Sequence, residues 1–163
     1  MGEPSSAESP RVYIETSVWG MLLPNQPRAL REPTRRFLAQ CRAGLFAPYV
    51  SAAVFEEIEQ ANPRTARQLL AEINKLHPEE LKTNETSEFL ASTYIEVGIL
   101  PPKKRFDALH VAIATVRGMN ILVSWNHRHL ANDRKRQLFN ALNRLSGYEQ
   151  DLVIQTPFGA LRW

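Results

Sequence analysis

The chain has 163 residues, 44% hydrophobic and 23% charged, with a formal net charge of +3 and a sequence pI of about 9.2. That length suits one domain with a real core and is short for two, and no apolar run approaches membrane-spanning length. Cys41 stands alone, which excludes an intramolecular disulfide or a cysteine-based metal cluster and points to a reducing compartment.

The first ten residues are a polar lead without a signal peptide's apolar core, expected to be mobile in a cytoplasmic protein. Residues 11–163 then read as a single domain. Val12 to Ile14 is a short β-favouring run that stops on Glu15 and two hydroxyls, Thr16 and Ser17. So apolar a run reads as a strand buried on both faces of a parallel sheet. A short helical turn from Thr16 to Leu23 is closed by Pro24 and Pro27, and a helix follows from Ala29 to Arg42, stopped by Gly44. Phe37, Leu38 and Cys41 lie on its inner side, with Leu45 beyond, so Cys41 reads as a small buried side chain rather than a nucleophile.

Leu45 to Val50 is a second strand, ending on the hydroxyl of Ser51. Helices from Ala52 to Gln60 and Arg64 to Leu76 come next, and Pro78 with Glu79 and Glu80 reads as a turn. A helix from Ser87 to Val97 has Phe89, Leu90, Tyr94 and Val97 as its expected inward set. Pro101-Pro102 opens a basic loop of Lys103, Lys104 and Arg105. The helix Phe106 to Arg117 is apolar nearly all round, the signature of a helix buried against a sheet. After Gly118, Ile121 to Ser124 is a third strand, followed by the polar cluster Trp125-Asn126-His127. A helix from Asp133 to Leu145 leads to a last short strand, Leu152 to Ile154. Strands alternating with helices make an α/β domain, a mostly parallel central sheet flanked by helices in three layers and joined by right-handed crossovers.

Four strand ends or helix starts each deliver a hard oxygen ligand or a polar equivalent: Glu15, the Glu56/Glu57 pair, Asp107 and Asn126. Glu56 and Glu57 point about 100° apart on a helix, so only one can face a crevice, and Glu57 is the favoured one. Open α/β sheets place ligands at the carboxyl ends of their strands. Carboxylates gathered there repel one another unless a divalent cation neutralises them, and oxygen ligands without cysteine select Mg²⁺ or Mn²⁺. Such a cation beside a basic loop suits phosphodiester cleavage. The alternative is that these acids never meet: Glu15 caps the next segment, and Glu57 lies on a solvated face with Glu56 and Glu59.

The segments "VYIETSV", "YVSAAVFEEI", "FDALHVAIA" and "ILVSWNHRHL", ending near "IQTP", occur in an order that resembles the PIN-domain proteins. The likeness runs over about residues 11 to 158 and is greatest to the bacterial PIN ribonucleases of the VapC toxin type. It implies a parallel sheet with the first strand central, a metal-dependent ribonuclease site, a homodimer and an antitoxin partner. By the same resemblance Glu15, Glu57 and Asp107 are the metal-holding acids, Ser17 supports the first of them, and Ser124 precedes the last acidic position. Two positions depart from the family's pattern. Glu15 stands where Asp is usual, and Asn126 stands where a fourth acid is common, offering one neutral carbonyl oxygen in place of a charge.

Other polar residues carry weaker signals. His110 lies one turn after Asp107 and reads more readily as a satisfied core histidine than as part of the site. His127, Arg128, His129 and Asn132 suggest a rim facing phosphate, while Trp19 and Trp125 offer a stacking face for an unpaired base or simple burial. Lys103, Lys104, Arg105 and Arg128, together with Arg134 to Arg136, form a basic approach for the RNA backbone. The sequence reading is therefore a Mg²⁺- or Mn²⁺-dependent endoribonuclease, with Glu15, Glu57, Asp107 and Asn126 as its site. The rival reading is a PIN-fold module that binds RNA or protein with little or no catalysis. A nucleotide-binding protein is disfavoured, since no glycine-rich phosphate loop follows any strand.

Overall fold

A computed structural model describes residues 8–163. Most of the polar lead, residues 1–7, lies outside that range, so its expected mobility falls outside the described residues. The end of the lead is tied down: Ser9 donates to the Gly44 carbonyl and Pro10 accepts from the Ala47 N–H.

Five strands form one all-parallel sheet in the order β3-β2-β1-β4-β5: β1 (Arg11–Ile14), β2 (Ala47–Ser51), β3 (Glu79–Leu81), β4 (Ile121–Val123) and β5 (Val153–Gln155). The first strand is central, as the resemblance implied. Val12, Tyr13 and Ile14 of β1 and all of β4 are buried, so these strands are covered on both faces. Pro48 fits inside β2 because the pairing with β3 starts one residue later, at Tyr49, so its missing N–H leaves no ladder bond unmade.

The helices are α1 (Thr16–Gly20), α2 (Arg28–Arg42), α3 (Ala52–Glu59), α4 (Pro63–Leu76), α5 (Glu85–Glu96), α6 (Arg105–Val116), α7 (Asp133–Leu145) and α8 (Pro157–Ala160). Residues Asp107 to Thr115 of α6 are buried without a break, as an all-round apolar helix requires. It packs against α5 and also meets α3. Two β-strand ends become helix caps: Glu15 accepts from the Ser17 N–H at the start of α1, and Ser51 from the Ala53 N–H at the start of α3.

Three expectations are corrected by the packing. Glu79 and Glu80, read with Pro78 as a turn, belong to the edge strand β3. Its two exposed glutamates carry no strand pattern, and the pairing with β2 alone makes it one. On α5 the buried stripe is Ser87, Leu90, Ala91 and Tyr94, at helical spacing, while Phe89 and Val97 are 76% and 56% exposed. Leu45 is likewise exposed, although Cys41 is buried beside Phe37 and Leu38 as expected. Leu22, just after α1, is buried in the core. No helix among the described residues is long and apolar enough to cross a membrane.

Candidate metal centre and its basic rim

The pairing of Ile14 with Val123 puts the residues after β1 and β4 side by side at the carboxyl edge of the sheet. Glu15 and Ser124 therefore meet, and the Ser124 hydroxyl donates to Glu15 Oε2 at 2.9 Å. The same oxygen accepts from the Ser17 N–H at 3.0 Å and from the Ser17 hydroxyl. Ser17 in turn accepts from the Trp125 N–H. One oxygen of Glu15 is thus fully engaged, and the other, Oε1, faces the imidazole of His110 at 3.9 Å.

Helix α3 starts at the end of β2 and carries Glu57 to the same edge, while Glu56 points to solvent. Helix α6 brings Asp107 on its first turn and His110 one turn later. Glu15, Glu57, Asp107 and Asn126 all line one cavity of about 390 Å³, together with Thr16, Ser17, Gly20, Leu69 and Lys104. Sequence-distant acids from three elements have met.

His110 is the residue the sequence undervalued. It is fully buried, yet its Nε2 lies 3.0 Å from Glu57 Oε1 and its Nδ1 lies 2.6 Å from the Tyr13 hydroxyl. Tyr13 continues to Ser51 at 2.6 Å. The available signal was its place on a helix otherwise apolar all round: a buried imidazole must find partners, and the partners of this one are the site.

Charge explains the protonation preferences. Burial pushes the carboxyl of Glu15 above its ordinary range, against the pull of His110, and burial does the same to Asp107. Glu57 also pays for burial, but the hydrogen bond and charge of His110 outweigh that and hold it below its ordinary range. Burial works against charge on His110, and the hydrogen bond to Glu57 with the neighbouring acids overcomes it, raising the imidazole. The cluster is short of positive charge.

Asn126 has a different geometry from that expected. Its carbonyl oxygen accepts from the His129 N–H at 3.0 Å, within its own loop. Its amide nitrogen donates to Asp107 Oδ2 at 3.1 Å. Asn126 therefore holds Asp107 in place, and its carbonyl oxygen is already shared with the His129 N–H. Lys103, Lys104 and Arg128 line a second cavity with Pro101, Asn126 and His129, adjoining the first through Lys104 and Asn126. Arg105 is turned away, donating to Ser92 on α5 at 2.9 Å, so it does not line the basic cavity. Trp19 is fully buried, which removes it as a stacking face. Trp125 is half-buried, its indole N–H donating to Thr34.

The fold is PIN-like, similar to that of solved VapC structures. Over 84% of this chain and 95% of the other, it is similar to VapC20 of Mycobacterium tuberculosis, described as a Sarcin-Ricin loop cleaving toxin, with a TM-score of 0.57 at 14% identity. VapBC2 from Rickettsia felis, solved bound to a DNA fragment from its promoter, matches with a TM-score of 0.56 at 12% identity, covering 90% of this chain and 98% of that one. DNA-bound VapBC from Salmonella typhimurium gives a TM-score of 0.51 at 14% identity, over 91% and 98% of the two chains. At such identities the likeness is one of fold. No family model and no curated protein matches the sequence.

Proposed function

We propose that the protein is a divalent-metal-dependent endoribonuclease, the toxin of a toxin–antitoxin module. The observation that carries this reading is the shared cavity of Glu15, Glu57, Asp107 and Asn126, opening beside a basic one. The residues fit a cation. Two of the carboxyls are buried with too little positive charge around them, and the donors that line the cavity are hard oxygens. Glu15, Glu57 and Asp107 would hold the ion, which on binding supplies an activated water and a counter-charge for the scissile phosphate. Mg²⁺ and Mn²⁺ suit these hard ligands.

The chain's own residues set up the rest. Ser17 and Ser124 fix Glu15 by one oxygen and leave the other directed at the cluster. Asn126 fixes Asp107, and His110 fixes Glu57. Lys103, Lys104 and Arg128 neutralise RNA phosphates at the cavity mouth, so affinity falls with salt. The test is cleavage of a mixed RNA pool with Mn²⁺, with chelator, and with Asp107→Asn. Metal-dependent cleavage that Asp107→Asn abolishes is expected. Salt-sensitive RNA binding without cleavage at any metal concentration would favour the non-catalytic reading, which the neutral Asn126 motivates.

The same reading includes a cytoplasmic protein that pairs with an antitoxin, in line with the VapBC complexes it resembles in fold, and that forms the homodimer implied by the sequence resemblance. Light scattering at high micromolar concentration should show the dimer. A monomer under those conditions would remove the homodimer from the proposal.

A further inference from the structure

We propose that Nε2 of His110 is a direct ligand of the cation, alongside Glu15 and Glu57, making a mixed nitrogen–oxygen site that prefers Mn²⁺ to Mg²⁺. This rests on the metal-dependent reading above and sharpens it. One ligand atom each from Glu15, Glu57 and His110 lie within 4.8 Å of one another, a group that does not include Asp107. The separations are 3.0 Å from Nε2 to Glu57 Oε1 and 3.9 Å from Nε2 to Glu15 Oε1. Metal bonds of roughly 2.0–2.2 Å place the ligand atoms of a single ion roughly 3 to 4.4 Å apart. These distances suit that arrangement.

Glu15 adds a second argument. Its Oε2 is taken by Ser17 and Ser124, so Oε1 is the oxygen left for a new partner, and it is the one facing the imidazole. A third lies behind the ring. Nδ1 meets the Tyr13 hydroxyl, which meets the Ser51 hydroxyl, and both hydroxyls rotate. With no cation, Nε2–H donates to Glu57 and Nδ1–H to the Tyr13 oxygen. With a cation, Nε2 releases its proton to solvent and presents its lone pair, while Nδ1–H stays on the Tyr13 oxygen, whose own hydrogen points to Ser51. The ring passes from imidazolium to neutral imidazole with the loss of that one proton. A ligating histidine with its other N–H held by an oxygen is the usual outer support of a metal site.

Asp107, held by Asn126 at 3.1 Å, completes the set from the cavity wall. Its distance from the tight trio leaves imidazole as one of the three closest donors. Mg²⁺ demands oxygen ligands and keeps its waters, whereas Mn²⁺ lies higher in the affinity order for nitrogen donors.

The experiment is pulsed EPR of Mn²⁺ bound to the full chain, paired with calorimetric titrations of Mn²⁺ and Mg²⁺. Wild type should show ¹⁴N coupling from one imidazole and bind Mn²⁺ about tenfold or more tighter than Mg²⁺. His127→Gln with His129→Gln, on the neighbouring loop, should leave the coupling in place. His110→Gln should abolish it and erase the preference. If His110→Gln does not fold, wild type and the loop double variant decide between them, since coupling that survives the latter has His110 as its source at this site. Saturable Mn²⁺ binding without nitrogen coupling, or coupling lost with the loop histidines, would overturn the inference and leave the nuclease reading standing. No saturable binding of either ion would overturn both.

Discussion

Two polar clusters buried among the described residues differ in charge. Between α5, α6 and α7, Tyr94 donates to Asn143 Oδ1, and Asn143 Nδ2 donates to Thr115 at 3.1 Å. Nearby, Asn140 exchanges two hydrogen bonds of 2.9 Å with the backbone of Leu152, just before β5. Every group there is neutral and has a partner. At the carboxyl edge of the sheet, three carboxyls line one cavity with a fully buried imidazole against Glu57, and burial works against charge on all four groups. The first cluster answers only to the fold. The second lacks a counter-charge, so its stability should answer to ligand and pH, and that dependence separates a binding site from a buried polar brace.

The largest contrast should come from neutralising one acid. Asp107→Asn or Glu57→Gln should cut metal-dependent RNA cleavage by at least the ~10- to 100-fold seen for outer supports of metal sites. The midpoint of the chelated Asp107→Asn protein should rise, because a like charge has gone from the cluster. A wild-type cleavage rate in both variants would break the comparison at its centre.

Tyr94→Phe probes the other cluster. It strips Asn143 of its tyrosine donor in a buried setting, and denaturant unfolding should show a loss of about 1–3 kcal/mol. That loss should be the same with Mn²⁺ and with chelator, and cleavage per folded molecule should not change. A metal-dependent loss would mean that the two clusters are coupled through α6.

Asn126→Asp moves the edge cluster further from neutrality. It replaces the amide that donates to Asp107 with a second carboxylate, so the chelated midpoint should fall below wild type. Mn²⁺ should raise the midpoint of Asn126→Asp by more than it raises that of wild type, because the added anion binds the cation and binding stabilises the folded state. Equal shifts in both proteins would place Asn126 outside the cation's reach.

The smallest effect is on pH. Glu15, Asp107 and His110 have folded pKa values above their unfolded ones, so each contributes stability at low pH that is lost as pH rises through its folded value. Glu57 is held low and contributes the opposite, a stability lost as pH falls through its folded value. Three groups outweigh one above the ordinary carboxylate range. The gap between Mn²⁺-loaded and chelated midpoints should therefore widen as pH is raised from about 5 to 8. Tyr94→Phe should show the same widening as wild type, and a gap that does not change with pH would show that the edge cluster carries no unbalanced charge.

The strongly periodic or wholly apolar segments were legible in the sequence. The run at Val12 to Ile14 and the helix around Ala108 to Ala114 have one physical solution, burial on every side, and the structure places them in the sheet and against it. Two of the acids were legible by position too, since Glu15 closes a strand and Asp107 opens a helix, whereas Glu57 lies in the last turn of α3. What the sequence left open was every feature set by a neighbour far along the chain. Glu79 to Leu81 is a strand only because β2 lies beside it, and Phe89 is exposed because α5 turns Ser87 inward instead. Asn126 donates to Asp107 because its loop has already taken its carbonyl oxygen. His110 shows the limit most plainly. Its sequence context gives only a polar residue on an apolar helix, and Tyr13, Glu15 and Glu57, from residues 97, 95 and 53 positions away, make it part of a charged site. Local pattern determines which residues must be buried; only the meeting of distant strand ends decides which buried charges face one another.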